Sequence, residues 1–159
     1  MQALYLLLLI AAANTAPLLL KRVLGAKLAY PVDGGLTLWD GQPLFGRAKT
    51  VRGAAVAIAL PLLLAPLTSH AVGEGAAIGA MAMVGDLASS FVKRRLKMQP
   101  SSQAIGLDHI PEVLLPAWIA RTWFGLGAVE VVLLVVVFVV GALVGSRLFY
   151  RLGLRERPY

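Results

Sequence analysis

The chain has 159 residues, enough for one domain, and is 58% hydrophobic and only 14% charged, with a net charge of +7 and a mean hydropathy of +0.78. A soluble domain carries about 25% charged residues, so these values, with apolar runs near helix-spanning length, predict an all-α polytopic integral membrane protein. The lack of cysteine excludes disulfides, zinc thiolates and thiol nucleophiles, two histidines are too few for a histidine-rich metal site, and no Walker A loop, GxSxG elbow or HExxH is present.

Residues 3–20 predict the first membrane helix. No basic stretch precedes it, and Lys21 and Arg22 follow it, so it is expected to remain as a span and not to act as a cleaved leader. The N-terminus is then outside and Lys21 in the cytoplasm. Asn14 and Pro17 interrupt the apolar run, and a kink with a satisfied amide is favoured over a lining role in a polar cavity. Residues 21–52 form a polar, turn-rich loop with six of the fifteen basic residues, plus Asp33 and Asp40. A loop this long between membrane helices is often functional. Lys49, Thr50 and Arg52 stand at the mouth of the next helix, where a helix N-terminus already favours phosphate.

Residues 53–69 predict a second helix containing Pro61 and Pro66, and residues 75–92 a third. In the third, Gly75, Gly79, Ala82, Met83 and Asp86 follow one face, where small residues let another helix pack closely. Asp86 would cost roughly 2.5–3.5 kcal/mol facing lipid on the insertion scale, so it must face the bundle interior, water or a cation. Residues 93–109 form a second inner loop, opening with Lys93, Arg94, Arg95 and Lys97. Residues 110–124 predict a short fourth span with Pro111, Glu112, Pro116 and Arg121, for which a tilted or re-entrant helix also fits. Residues 126–149 predict the fifth, whose valine-rich core would read as a strand but whose length decides for a membrane helix. Five spans put the C-terminus in the cytoplasm, and fourteen of the fifteen basic residues then lie on the inner side, Arg121 being the exception. Topology alone therefore accounts for the basic runs.

It does not account for the chemistry within residues 85–109. Asp86, Ser89, Ser90 and Lys93 recur at i, i+3, i+4 and i+7 and share one helix face, with Arg94 one residue further round. An acid, two hydroxyls and a cation on one stripe at a membrane boundary can hold a metal ion and a phosphate together, and Asp108 adds a second candidate carboxylate.

These residues resemble a known family. The pattern Pro31-x-Asp33-Gly34-Gly35, Asp40-Gly41, Leu44-Phe45-Gly46 and Lys49-Thr50-x-Arg52-Gly53 is similar to the first cytoplasmic loop of the CDP-archaeol synthase family. Gly85-Asp86-Leu87, Ser90-Phe91-x-Lys93-Arg94-Arg95 and Asp108 resemble its second, and Asn14 and Pro17 fit its first helix. The Ser-x-x-Lys-Arg block followed by an aspartate is distantly similar to CDP-diacylglycerol synthase. Two positions depart from the family pattern. His109 follows the late aspartate where glutamine is common, with the next acid, Glu112, four residues on and not three. Val51 replaces a common tryptophan.

The resemblance implies a CTP-dependent cytidylyltransferase in the cytoplasmic membrane, with its site facing the cytoplasm and Mg²⁺ as cofactor. Its partners would be CTP and a membrane lipid phosphate, with no nucleic acid and with room for a homodimer. The lipid stays open between an archaeal-type diether of glycerol phosphate and a phosphatidate-like ester. On that reading Asp86 and Asp108 hold Mg²⁺, and Lys93, Arg94 and Arg95 hold phosphates. Lys49 and Arg52 clamp the triphosphate beside Thr50. Ser89 and Ser90 bind phosphate or pack, while Asp33 contacts substrate or caps a turn. A lipid or polyprenol kinase would share these features but release nucleoside diphosphate. A transporter or assembly subunit would use Asp86 as an ion or interhelical contact and need no CTP.

Overall fold

The computed structural model describes residues 1–99, 102, 104 and 106–151. Among them are five α-helices: α1 (Gln2–Leu24), α2 (Val51–Leu64), α3 (Val72–Arg95), α4 (Ile110–Ala120) and α5 (Ala128–Arg151), with a 3-10 turn at Ala65–Thr68 after α2. Among the described residues, β-bridge pairing is limited to two isolated bridges, Pro31 with Thr50 and Thr37 with Pro43. The chain is thus an all-α membrane protein. Four helical stretches are long and apolar enough to cross a bilayer: Gln2–Leu24, Val51–Thr68, Val72–Arg95 and Ala128–Leu148.

α4 differs from expectation. It covers only Ile110–Ala120, about 16 Å at 1.5 Å per residue, short of the roughly 30 Å hydrocarbon core. Pro111 suits the first turn of a helix, and the chain leaves the helix through a turn at residues 121–125. Three other helices run past their predicted ends, α5 by two residues to Arg151. α1 continues through Lys21 and Arg22 to Leu24, where Gly25 turns the chain at φ 53°. α3 continues through the whole basic run to Arg95, so Lys93, Arg94 and Arg95 stand on a helix and not in the loop. Cations at a helix C-terminus meet the negative end of its dipole, which favours this extension.

Lipid tails are as apolar as leucine, so these helices gain little from hiding side chains and associate by close packing. Glycine provides it. A Cβ on Gly79 would sit 2.7 Å from Ile58 Cα, and one on Gly75 2.7 Å from Ala65 Cβ, so α3 crosses α2 with backbones nearly touching. A Cβ on Gly85 would sit 2.7 Å from Glu112 Cα, which brings the start of α4 against α3. The buried apolar core, including Leu6, Leu9, Ile10, Ile78, Val113, Ala117 and Phe124, gathers near the N-terminal end of α1. There His70 closes the bundle. Its Nδ1 donates to Glu74 Oε2 (2.9 Å), its Nε2 pairs with the Gln2 side-chain amide (3.1 Å), and its ring stacks on Phe124 at 3.7 Å. Charge collects at the opposite end, where α1 and α3 finish and α2 and α4 begin.

Candidate active site

The site is built on the last three turns of α3. The expected stripe forms as spaced, because residues 86–95 are all helical. The Asp86 carboxylate receives the Lys49 ammonium on both oxygens, at 2.6 and 2.7 Å, each side chain being 24% exposed. Lys49 comes from the end of the long loop, held there because Lys49 O accepts from Val32 N (2.8 Å). Two turns on, about 10 Å along the axis, Lys93 donates to Asp108 Oδ1 at 2.7 Å and also to Ser102 O. The other Asp108 oxygen accepts from Ala104 N at 2.7 Å. Arg94 is buried, with Nη2 donating to Gln99 O (3.1 Å). Its Nε lacks a hydrogen-bond partner among the described residues. Its stem runs under Gly46, whose missing side chain leaves room 3.8 Å from Arg94 Cδ.

Glu112 was not among the sequence candidates. It is 9% exposed, accepts from His109 Nδ1 at 3.0 Å, and interacts electrostatically with Asp86 and Lys49. The signal was available: an acid inside an apolar helix carries the same penalty that singles out Asp86.

The remaining candidates hold the first loop in shape. Asp33 Oδ2 accepts from Phe45 N and Gly46 N, both at 2.9 Å, and Oδ1 from Gly35 N at 3.0 Å. Burial pushes the Asp33 carboxyl up, but the N–H groups of Phe45, Gly46 and Gly35 outweigh it and hold it below its ordinary value. Arg95 donates to Asp40 Oδ1 (3.0 Å), Gln42 O (3.3 Å) and Pro43 O (2.7 Å), with Phe91 5.1 Å beneath its guanidinium. Asp40 also caps its own turn through Gln42 N (3.1 Å). Thr50 is the N-cap of α2, accepting from Gly53 N (3.3 Å). Arg52 donates to the carbonyls of Gly25 and Lys27, joining the end of α1 to the start of α2. Ser89 bonds back to Gly85 O (2.9 Å), and Ser90 is buried on the same face. In the first helix, Asn14 donates to Ile10 O (3.1 Å), a satisfied amide one turn before Pro17.

Lys49, Asp86, Lys93, Arg94 and Asp108 therefore gather along the final turns of α3, while Asp33, Thr50, Arg52 and Arg95 secure the loop beside them. A family model described as CarS-like, CDP-archaeol synthase, matches residues 1–159. The chain belongs to the CDP-archaeol synthase family. Relatives so named include those of Thermofilum pendens, 33% identical over 92% of this chain and 75% of the relative, and Pyrobaculum aerophilum, 33% identical over 84% of each. That of Aeropyrum pernix is 31% identical over 100% of this chain and 92% of its own. A solved structure described as an intramembrane enzyme for archaeal membrane lipids biosynthesis superposes with a TM-score of 0.74 at 28% identity, covering 91% of this chain and 92% of that one. The chain is accordingly an enzyme, a membrane-integral cytidylyltransferase of this family.

The family reading implies Mg²⁺, and carboxylate oxygens are the donor type it takes. Asp86, Asp108 and Glu112 offer hard oxygen atoms near one end of α3. No group of three or more His, Cys, Asp or Glu among the described residues could hold a metal by itself. Mg²⁺ characteristically takes one or two carboxylates and completes its shell with substrate phosphates and water. Each aspartate meets a lysine ammonium, at 2.6 and 2.7 Å.

Proposed function

We propose that this cytidylyltransferase uses CTP to activate a membrane lipid phosphate, an unsaturated archaeal-type diether of glycerol phosphate, at the cytoplasmic face, with pyrophosphate as second product. The observation that carries the reading is the pair of lysine–carboxylate contacts, Lys49–Asp86 and Lys93–Asp108, two turns apart at one helix end. The relatives' shared name, CDP-archaeol synthase, supports the diether over a phosphatidate-like ester.

A phosphomonoester has a second pKa near about 6, so the lipid supplies its own dianionic nucleophile at neutral pH. One of its oxygens attacks the α-phosphorus of CTP, a P–O bond forms, the α–β anhydride bond breaks and pyrophosphate departs. No serine nucleophile and no strong base is required. The barrier lies in bringing two polyanions together and stabilising the leaving group, which cations and positioning address. Lys49 and Lys93 turn from their carboxylates to phosphate oxygens. Arg94, buried with an unused Nε–H, offers a fork for bidentate contact. Asp86 and Asp108 would hold Mg²⁺, which neutralises phosphate charge and stabilises the departing pyrophosphate. Arg95, Asp33, Thr50 and Arg52 keep Lys49 aimed at Asp86 by fixing both ends of its loop, and Ser89 and Ser90 pack the helix face behind it.

The test is product analysis by mass spectrometry, with purified protein, Mg²⁺, CTP and a panel of diether and diester lipid phosphates. The expected products are CDP-lipid and pyrophosphate, with the diether preferred. A lipid that gains one phosphoryl group, with CDP released, would mean a kinase. Unaltered lipid throughout, from folded protein, would remove the enzymatic reading of this site.

A further inference from the structure

Residues 28–46 carry no lysine or arginine, in a chain where both flanks are basic: Lys21, Arg22 and Lys27 before, Arg47 after. Their two acids are both engaged within the fold. Asp33 spends its carboxylate on three backbone N–H groups, and Asp40 faces Arg95 at 3.0 Å. The middle of the segment is a small hairpin, closed by Leu44 N donating to Leu36 O and Leu38 N to Gln42 O, both at 2.9 Å. Trp39 stands at its tip and is 88% exposed, with Leu36 at 54% and Tyr30 at 70%. An indole so uncovered leaves a large apolar surface in water unless something covers it.

Arg95 grips the base of the hairpin through Asp40, Gln42 and Pro43. Phe45 lies across from Val84, Leu87, Ala88, Phe91 and Val92 on the outer wall of α3, enclosing an open apolar groove of about 430 Å³. Val84 and Val92 of that wall are exposed, as lipid-facing residues are. The base of the hairpin therefore stands against the last turn of α3, and its apolar tip is uncovered by the rest of the described residues.

We infer that the 36–44 hairpin beds in the headgroup region of the bilayer that holds the protein, with Trp39 as its anchor. Tryptophan favours that depth because its ring is apolar and its N–H finds a polar partner there. The exposed basic side chains of Lys21, Lys27 and Arg47 on either side match anionic lipid phosphates. The hairpin thus forms the outer lip of the groove along α3, at the level where a lipid headgroup would lie. This assignment rests on exposure, charge and position, and stands apart from the reaction assigned to the site.

The Trp118→Phe/Trp123→Phe variant leaves Trp39 as the single tryptophan. Reconstituted in vesicles of brominated phosphatidylcholine, its emission should be quenched several-fold more by bromines near the glycerol than by bromines at the chain ends, and hardly by aqueous iodide. Strong iodide quenching with no bromolipid effect would overturn the inference. Quenching by neither would also overturn it, since that result means a protein contact, such as a second copy, covers Trp39. Because the chain has no cysteine, Trp39→Cys with a nitroxide label gives a check that needs no tryptophan removal. The label should collide with oxygen more readily than with a water-soluble nickel complex, and the reverse order would contradict the anchor.

Discussion

Lys49 and Asp86 come from positions 37 residues apart and meet with both carboxylate oxygens engaged. That contact depends on residues that never reach it. Asp33 is the clearest case, since three N–H donors converge on it. Because its folded pKa is lowered, its stabilisation is complete above the ordinary value of 3.8 and is lost as pH falls below that through the folded value. Hydrogen exchange of the Phe45 and Gly46 amides should therefore stay flat above pH 5 and accelerate only on strong acidification, after correction for the intrinsic rate. Asp33→Asn should loosen the same amides at neutral pH by about 1–3 kcal/mol. Unchanged protection would mean the loop is held otherwise. Glu112→Gln tests the acid beside Asp86. It preserves size but removes the charge, and kcat should fall about 10- to 100-fold, the usual cost of disturbing groups around a metal centre. A wild-type rate would make Glu112 a packing residue.

At the level of elements, the crossing of α3 with α4 decides whether Glu112 and Asp86 face each other. Gly85→Ala inserts a Cβ 2.7 Å from Glu112 Cα, where backbone must move. The expected cost is about 1–3 kcal/mol, with a fall in activity larger than the stability loss explains. A thermal midpoint and specific activity equal to wild type would contradict the close crossing. The same element shows how far the sequence could be read. Periodicity located Asp86, Ser89, Ser90 and Lys93 on one face, because helical spacing is local information. It did not reveal that the helix runs on to Arg95, since lysines and arginines read equally well as loop. It did not reveal which partner each cation takes, because Arg95 to Asp40 and Lys49 to Asp86 are long-range contacts set by how the loop folds back. Thr50 and Arg52 appear beside Lys49 in sequence, yet one caps α2 and the other joins α1 to α2.

For the whole molecule, the helices sort polarity along their length. The Gly75 and Gly79 crossings and the His70 clasp lie toward one end, and the Gly85 crossing and the lysine–carboxylate pairs lie at the other. On the proposed topology, with the N-terminus outside, the charged end would face the cytoplasm, where CTP is found. The cysteine-free background makes this orientation testable. Ser69→Cys, in the turn near His70, should react with a membrane-impermeant thiol reagent added to intact cells. Arg47→Cys, in the first loop, should react only after permeabilisation. The opposite pattern would invert the molecule and turn the site away from its nucleotide.

The most direct measurement is transfer of labelled α-phosphate from CTP to a diether lipid phosphate by the wild-type protein and by Asp86→Asn, both shown to keep the same helix content in the same detergent. The account predicts labelled CDP-lipid from the wild type and a rate about 100- to 1000-fold lower from the variant. Near-normal transfer by Asp86→Asn would contradict the assignment of the reaction to the charged end of α3.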